Sequence, residues 1–205
     1  MRSRSEVAGL VLAGGLSRRM GGGNKGLRTL GGKPMIAHVI DRLAPQVGPL
    51  AINANADPAL YDAFGLPVLA DIHPGFAGPL AGILTGLDWA ATQGLDLLAT
   101  AATDTPFFPR DLVARLAALS GPDTIVLSRS PGGRQPVFGL WPVSLRDDLA
   151  RWLEETETMK VLAFTDRHAL AWADFAPDGP ADPFFNANTP EELAEAEQLL
   201  AGGRA

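Results

Sequence analysis

The sequence predicts an α/β protein: a mostly parallel sheet with helices on both faces. Short apolar runs alternate along the chain with stretches of helical periodicity, the pattern of repeated strand–helix units. Prolines stand where helices are expected to open, at Pro34, Pro79, Pro109 and Pro190, and a proline at the first helical position loses nothing by lacking an N–H. The 205 residues suit a single domain with a sizeable core, and a hydrophobic fraction of 46% argues for a packed chain over a disordered one.

The elements follow in order. Residues 7–12 read as a buried strand. Arg2 and Arg4 ahead of this run resemble the start of a secretory leader, but the run is short and enters a Gly/Arg-rich loop instead of a small-residue cleavage site. A helix over 35–43 places Met35, Ile36, Val39, Ile40 and Leu43 on one face. A strand at 50–53, a short helix at 58–64 and a strand at 67–70 come next. Pro79 opens a helix reaching about residue 92, and 95–102, bounded by Gly94 and Asp104, reads as a central strand. Pro109 opens a helix over 111–119. Strands are expected at 124–127 and 137–141, a helix at 145–154, a strand at 168–175 and a last helix from Pro190, with Glu191 and Glu192 in its first turn. Neither a repeat nor a linker interrupts the series, and only the 202–205 tail looks loose.

Composition narrows the function classes. Seventeen basic against 23 acidic residues give a net charge of −6, which argues against nucleic acid as a partner. No apolar stretch is long enough to span a bilayer, so no membrane partner is expected. The absence of cysteine excludes disulfides, thiolate metal sites and cysteine nucleophiles, and is compatible with a reducing compartment.

Against that acidic background one stretch is basic. Residues 12–25, Leu12-Ala13-Gly14-Gly15-Leu16-Ser17-Arg18-Arg19-Met20-Gly21-Gly22-Gly23-Asn24-Lys25, hold five glycines, two arginines, one lysine and no acid. Glycines let backbone N–H groups close on an anion, and guanidinium and ammonium groups add charge-assisted bonds to phosphate. A solvated basic turn is the plainer alternative. Two familiar phosphate loops do not fit. Gly21 to Gly26 matches G-x-G-x-x-G, but it lies well past the strand end, and Asp41 falls inside a helix instead of at a strand end. The Gly32-Lys33 pair is followed by Pro34, not Ser or Thr.

Further candidates stand at strand ends. Asn53 and Asp71 follow strands and offer a donor and acceptors for base and ribose, or are ordinary turn residues. Asp71 with His73 is too small a set for a metal. Gly78 precedes a helix, and Gly82 lies within its first turns at a cost of about 1 kcal/mol relative to alanine, which calls for a close-approaching base or neighbouring element. Asp104, after the central strand, is placed to bind Mg²⁺ alongside substrate phosphates, with a turn aspartate as the rival reading. Asn186 and Asn188 put amide oxygens on one side of an extended segment; Asn188 or Thr189 also suits the cap of the helix that Pro190 opens.

The 12–25 stretch resembles the opening motif of the nucleotidyltransferases, L-A-[GA]-G-x-S-x-R-M-G-x-x-K. The Gly14-Gly15 pair, Gly78-Pro79-Leu80-Ala81-Gly82, Asp104-Thr105-Pro106 and Asn186-Ala187-Asn188-Thr189-Pro190 fall in the order of one branch, the molybdenum cofactor guanylyltransferases. The resemblance implies a Rossmann-like three-layer nucleotidyltransferase fold in one domain, a cytoplasmic enzyme, and transfer of GMP from GTP to molybdenum-bound molybdopterin with release of pyrophosphate. It implies that Leu12, Ala13, Gly14, Gly15, Asn53, Asp71 and Gly78 bind GTP, with Arg19 at the leaving pyrophosphate and Lys25 at the α-phosphate. It implies Mg²⁺ on Asp104, completed by Asn186 and Asn188, and partners among cofactor-biosynthesis proteins and apo-molybdoenzymes. Arg134-Gln135-Pro136 are candidates to face the second substrate. Asn24 departs from the family pattern, which often has Asp before the lysine. The alternatives are a sibling using CTP or another phosphate acceptor, and a nucleotide-binding regulator without turnover.

Overall fold

The first strand, β1 (Val7–Leu12), lacks alternation because both its faces are covered. In the computed structural model, which describes residues 4–14, 24–73, 78–156, 158–177 and 181–202, β1 lies near the middle of a seven-stranded sheet. A small hairpin, β2 (Thr29–Leu30) and β3 (Lys33–Pro34), precedes helix α1 (Met35–Leu43). Then come β4 (Leu50–Asn53), β5 (Val68–Leu69), α2 (Pro79–Thr92) and β6 (Leu97–Ala102). The second half runs α3 (Leu112–Ala117), β7 (Ile125–Ser130), β8 (Gly133–Pro142), α4 (Arg146–Glu155), α5 (Val161–Thr165), β9 (Leu170–Asp174) and α6 (Pro190–Ala201).

The strand order is β5-β4-β1-β6-β8-β7-β9, with β8 antiparallel to β6 and β7 and every other pairing parallel. The expected mostly parallel sheet is therefore present. Helices α1 and α3 cover one face, where Ile36, Val39, Leu43, Leu112 and Leu116 pack with Phe108, Phe138 and Phe184. Helices α2, α4 and α5 cover the other, where Leu80, Leu84, Leu149, Leu153 and Phe164 surround Trp141. Two glycines one turn apart seat α2 on the sheet. A Cβ at Gly86 would meet Leu10 Cδ2 at 2.6 Å and Leu98 Cδ2 at 2.8 Å, and one at Gly82 would meet Leu12 Cδ2 at 2.7 Å.

Three expectations change in detail. The 58–64 segment is a 3₁₀ helix. The 124–127 and 137–141 strands extend toward each other into a hairpin, β7–β8, that closes between Ser130 and Gly133. Pro136 is accommodated because the β7–β8 register shifts after Leu127, from Gly139 to Gln135, leaving residues 136–138 in a bulge. The β2–β3 hairpin and α5 add two short elements.

The chain runs outward from β1 to β4 and β5, then returns to β6 on the other side of β1. That reversal is a topological switch point, where open α/β sheets bind ligands beyond the carboxyl ends of their strands. The two strand ends are level: Leu12 pairs with Ala102, and the Thr103 N–H donates to the Leu12 carbonyl at 3.3 Å.

Candidate active site

Lys25 sits on a 3₁₀ turn, Lys25–Leu27, laid on the end of β6. Gly26 is buried there, and a Cβ in its place would come within 3.0 to 3.2 Å of the Thr103 side chain. Asn24 caps the turn: its Oδ1 accepts from the Gly26 N–H at 3.2 Å, and its Nδ2 donates to the buried Tyr61 hydroxyl. The amide at the position where related chains often carry aspartate thus ties the lysine turn to the 58–64 segment. Burial raises the Tyr61 phenol above its ordinary value, and the bond from Asn24 opposes this more weakly.

From this anchored turn the Lys25 ammonium reaches across the switch point. It donates to Asp104 Oδ2 at 2.9 Å and also to Asn188 Oδ1. Asp104 stands two residues beyond the end of β6, after Thr103. Its own carbonyl accepts the Ala187 N–H at 2.8 Å, which holds the 186–188 segment against the strand end. Asn186 and Asn188 are extended neighbours two residues apart, yet they do different things. Asn188 Oδ1 faces the ammonium, while Asn186 Oδ1 accepts from the fully buried Thr105 hydroxyl at 2.5 Å. That hydroxyl lies 3.3 Å from Asp104 Oδ1. Thr105, which the sequence reading passed over as part of a turn before Pro106, thus links Asn186 to Asp104.

The segment is fixed at both ends. Asp182 accepts from the Ser130 hydroxyl at 2.9 Å and from the N–H groups of Gly132 and Phe184, each at 2.8 Å. Thr189 and Glu192 form a reciprocal capping box at the start of α6, and Glu192 Oε2 also takes the Asn188 N–H at 2.6 Å. The expected capping role of Thr189 therefore coexists with the contact of Asn188 to Lys25.

A second cluster lies on the β4–β5 side. Asn53 ends β4 and is 4% exposed. Its Nδ2 donates to Asp71 Oδ1 at 2.8 Å and to the Leu69 carbonyl at 3.1 Å. Asn55 grips Asp71 with two bonds of 2.8 Å, accepting its N–H and donating to Oδ2. The Asn53-Ala54-Asn55 spacing could have signalled this, since alternate residues of an extended chain share a side. A Cβ at Gly82 would stand 2.2 Å from Asn53 Oδ1, so a neighbouring element, not open space for a base, accounts for that glycine.

Leu12 is half-buried at the end of β1, and the buried Ala13 donates its N–H to the Asn53 carbonyl at 2.8 Å. Gly14 is exposed beyond them. Gly78 caps α2 at φ 121°, a conformation open to glycine, with Met159 Cβ 3.6 Å from where its own Cβ would stand. Leu12, Ala13, Lys25, Asn53 and Asp104 are thus gathered around the ends of β1, β4 and β6, with Asp71 at the outer edge. Gly15 and Arg19 lie outside the described residues. Arg134, a candidate for the second substrate, stacks over Trp172 at 5.3 Å, on the far side of the sheet from Asp71.

Donor chemistry decides what cation suits this place. Among the described residues no group of three or more His, Asp or Glu side chains converges, which leaves Asp104 as the carboxylate and Asn188, with Asn186 behind it, as neutral oxygen donors. Hard oxygens with a single carboxylate suit Mg²⁺, which ordinarily keeps waters and takes its remaining ligands from substrate phosphates. The presence of a cationic ammonium between Asp104 and Asn188 demonstrates that these oxygens accommodate positive charge.

A Gly/Arg-rich stretch following β1 in sequence, a lysine–carboxylate pair and a topological switch point mark an α/β protein of the class that takes ligands at its strand ends. Comparison with known proteins specifies it further. Residues 9–170 match the MobA-like NTP transferase domain. A molybdenum cofactor guanylyltransferase of Bradyrhizobium sp. is 55% identical over 95% of this chain and 93% of its own length. Another of that name, from Mesorhizobium japonicum, is 48% identical over 96% of this chain and 97% of its own. The chain therefore belongs to the molybdenum cofactor guanylyltransferases within the MobA-like NTP transferase family. The fold is shared more widely. Molybdopterin-guanine dinucleotide biosynthesis protein A from Archaeoglobus fulgidus superposes with a TM-score of 0.75 at 24% identity, covering 95% of this chain and 99% of that one. A 4-diphosphocytidyl-2C-methyl-D-erythritol synthase from Anaerococcus prevotii gives 0.70 at 13% identity, covering 96% of each.

Proposed function

We propose that the protein transfers GMP from GTP to molybdenum-bound molybdopterin, forming molybdopterin guanine dinucleotide and pyrophosphate. The observation that carries the reading is the meeting of Lys25, Asp104 and Asn188 at the switch point, in a member of the guanylyltransferase family. In the reaction, the terminal phosphate oxygen of molybdopterin forms a bond to the α-phosphorus of GTP as the bond to the bridging oxygen of pyrophosphate breaks. That nucleophile is already ionised at neutral pH, so no general base is called for. The protein's work is positioning and charge neutralisation.

The residues divide this work. Amides from Gly14 and Gly15 onward hold the triphosphate, beyond Ala13, whose own N–H is taken by the Asn53 carbonyl. Leu12, Asn53, Asp71 and Gly78 enclose the nucleoside, with Asn55 holding the Asp71 carboxylate. Arg19 neutralises the leaving pyrophosphate and Lys25 the α-phosphate. Asp104 and Asn188, with Asn186 steadied by Thr105, are the residues to hold Mg²⁺, which when bound supplies charge neutralisation at the phosphates. Cytoplasmic residence and contacts with other cofactor-biosynthesis proteins and apo-molybdoenzymes complete the proposal. Among the described residues no helix is long and apolar enough to cross a membrane.

The test is turnover. Purified protein with Mg²⁺ and molybdate-loaded molybdopterin is offered GTP, CTP or ATP, and pyrophosphate and dinucleotide are followed. GTP alone is expected to give product, and Asp104→Ala is expected to lower kcat by about 10² or more. Product from CTP instead would move the specificity to a sibling; GTP binding without turnover would overturn the enzyme reading.

A further inference from the structure

The Lys25 ammonium does not point into an open phosphate crevice. It lies on Asp104 Oδ2 and Asn188 Oδ1, two of the oxygens assigned above to the metal, and its side chain is only 14% exposed. From that position we infer that Lys25 is a placeholder cation: in the nucleotide-free protein it occupies the divalent-metal site, and it yields the site only when metal and nucleotide arrive together. The inference rests on the proposed assignment of Asp104 to the metal.

Three observations support it. The ammonium satisfies the same two donors a hard cation would use, so the two cations exclude each other. The backbone carrying each oxygen is held independently of Lys25: the Asp104 carbonyl accepts the Ala187 N–H at 2.8 Å, and the Asn188 N–H donates to Glu192 Oε2 at 2.6 Å. The site therefore stays assembled when the lysine leaves. Finally, a lone carboxylate with amide oxygens attracts a hydrated divalent ion weakly, and must first release a partly buried charge-assisted bond. A triphosphate changes the balance twice over. It brings oxygens that complete the metal's shell, and it offers the displaced ammonium a new anionic partner one side-chain swing away. The same lysine thus serves the site before binding and the α-phosphate after it.

The experiment uses Mn²⁺ alone as the probe, followed by EPR of the free ion, on full-length protein without pterin. Wild type is expected to bind Mn²⁺ weakly without nucleotide and much more tightly with GTP. Lys25→Met, which keeps the side chain's bulk and removes its charge, is expected to bind Mn²⁺ without nucleotide about tenfold more tightly than wild type, the equivalent of one lost charge-assisted bond. Lys25→Arg is expected to stay close to wild type. Equal nucleotide-free affinities in wild type and Lys25→Met would overturn the inference. Adding Asp104→Ala to Lys25→Met separates its failure from that of the metal assignment: if nucleotide-free Mn²⁺ binding by Lys25→Met survives this second change, Asp104 is not the metal residue at all. A measurement on unsubstituted protein covers the case of a variant that does not fold. The ¹⁵Nζ resonance of Lys25 is expected to shift with Mg²⁺ and GTP together and to ignore Mg²⁺ alone; a shift with Mg²⁺ alone would overturn the inference.

Discussion

Tyr61 is the sole tyrosine of the sequence, and it is fully buried under the turn that carries Lys25. Burial raises its pKa, so the folded chain favours the neutral phenol. The stabilisation this gives is complete below about pH 10, the unfolded tyrosine value, and is lost as pH climbs through the folded value. Thermal unfolding measured from neutral to strongly alkaline pH is therefore expected to steepen above about pH 10 in wild type, and to steepen less in Tyr61→Phe. Phenolate absorbance reads the titration directly, since no other tyrosine contributes. At neutral pH the same substitution is expected to cost about 1 kcal/mol, the usual worth of one hydrogen bond. At this scale the sequence is legible unevenly. Asp104 stood out because an acidic residue after an apolar run is conspicuous. Tyr61 and Thr105 did not, because a buried hydroxyl discloses its partner only once distant segments have met.

Among the elements, the crossing from β9 to α6 does most to build the site. Its far end is the capping box of Thr189 and Glu192, which orders the first turn of α6 and the Asn188 backbone together. Thr189→Ala removes one side of that box and is expected to destabilise the protein by about 1 kcal/mol, read as a fall in Tm of about 2–4 °C. The cap was readable beforehand from Thr189, Pro190 and Glu192 in series. The β2–β3 hairpin was equally readable and was missed. Gly31 and Gly32 adopt φ of 57° and 78°, the left-handed pair of a two-residue hairpin turn, and the glycine pair between Leu30 and Lys33 is the usual signal for it. Its function is packing: the Gly31 N–H donates to Glu197 Oε1 at 2.8 Å, and Leu200 Cδ2 would stand 2.1 Å from any Cβ at Gly31, so the turn is a seat for α6. By contrast α5, a five-residue helix after Lys160, has too few residues for a periodic signal.

Across the whole molecule, stability is expected to grade from the middle of the sheet outward. Strands β1, β4 and β6 are buried, whereas the edge strands β5 and β9 are only partly so. Native-state hydrogen exchange is expected to be slowest in β1 and β6 and fastest in β5, β9 and the last turns of α6; uniform protection across the sheet would contradict this grading. The architecture was largely legible, because alternation of apolar runs and helical stretches specifies parallel units almost by itself. The reversal of β8 was not. Its proline-containing first half carries a bulge, and a bulged strand breaks the period by which strands are recognised.

Lys25 and Asn188 are separated by 163 positions, and Asp104 stands between them in sequence. A ribosome delivers the N-terminal residue first and the other far later, so a nascent chain that has already paired β1, β4 and β6 still lacks one wall of its crevice. Chemistry at the switch point has to wait for the final helix to come back and dock on the β2–β3 turn. Competence thus depends on residues 186–201 having been made, and a fragment that stops short of them leaves a sheet without Asn188 beside Lys25.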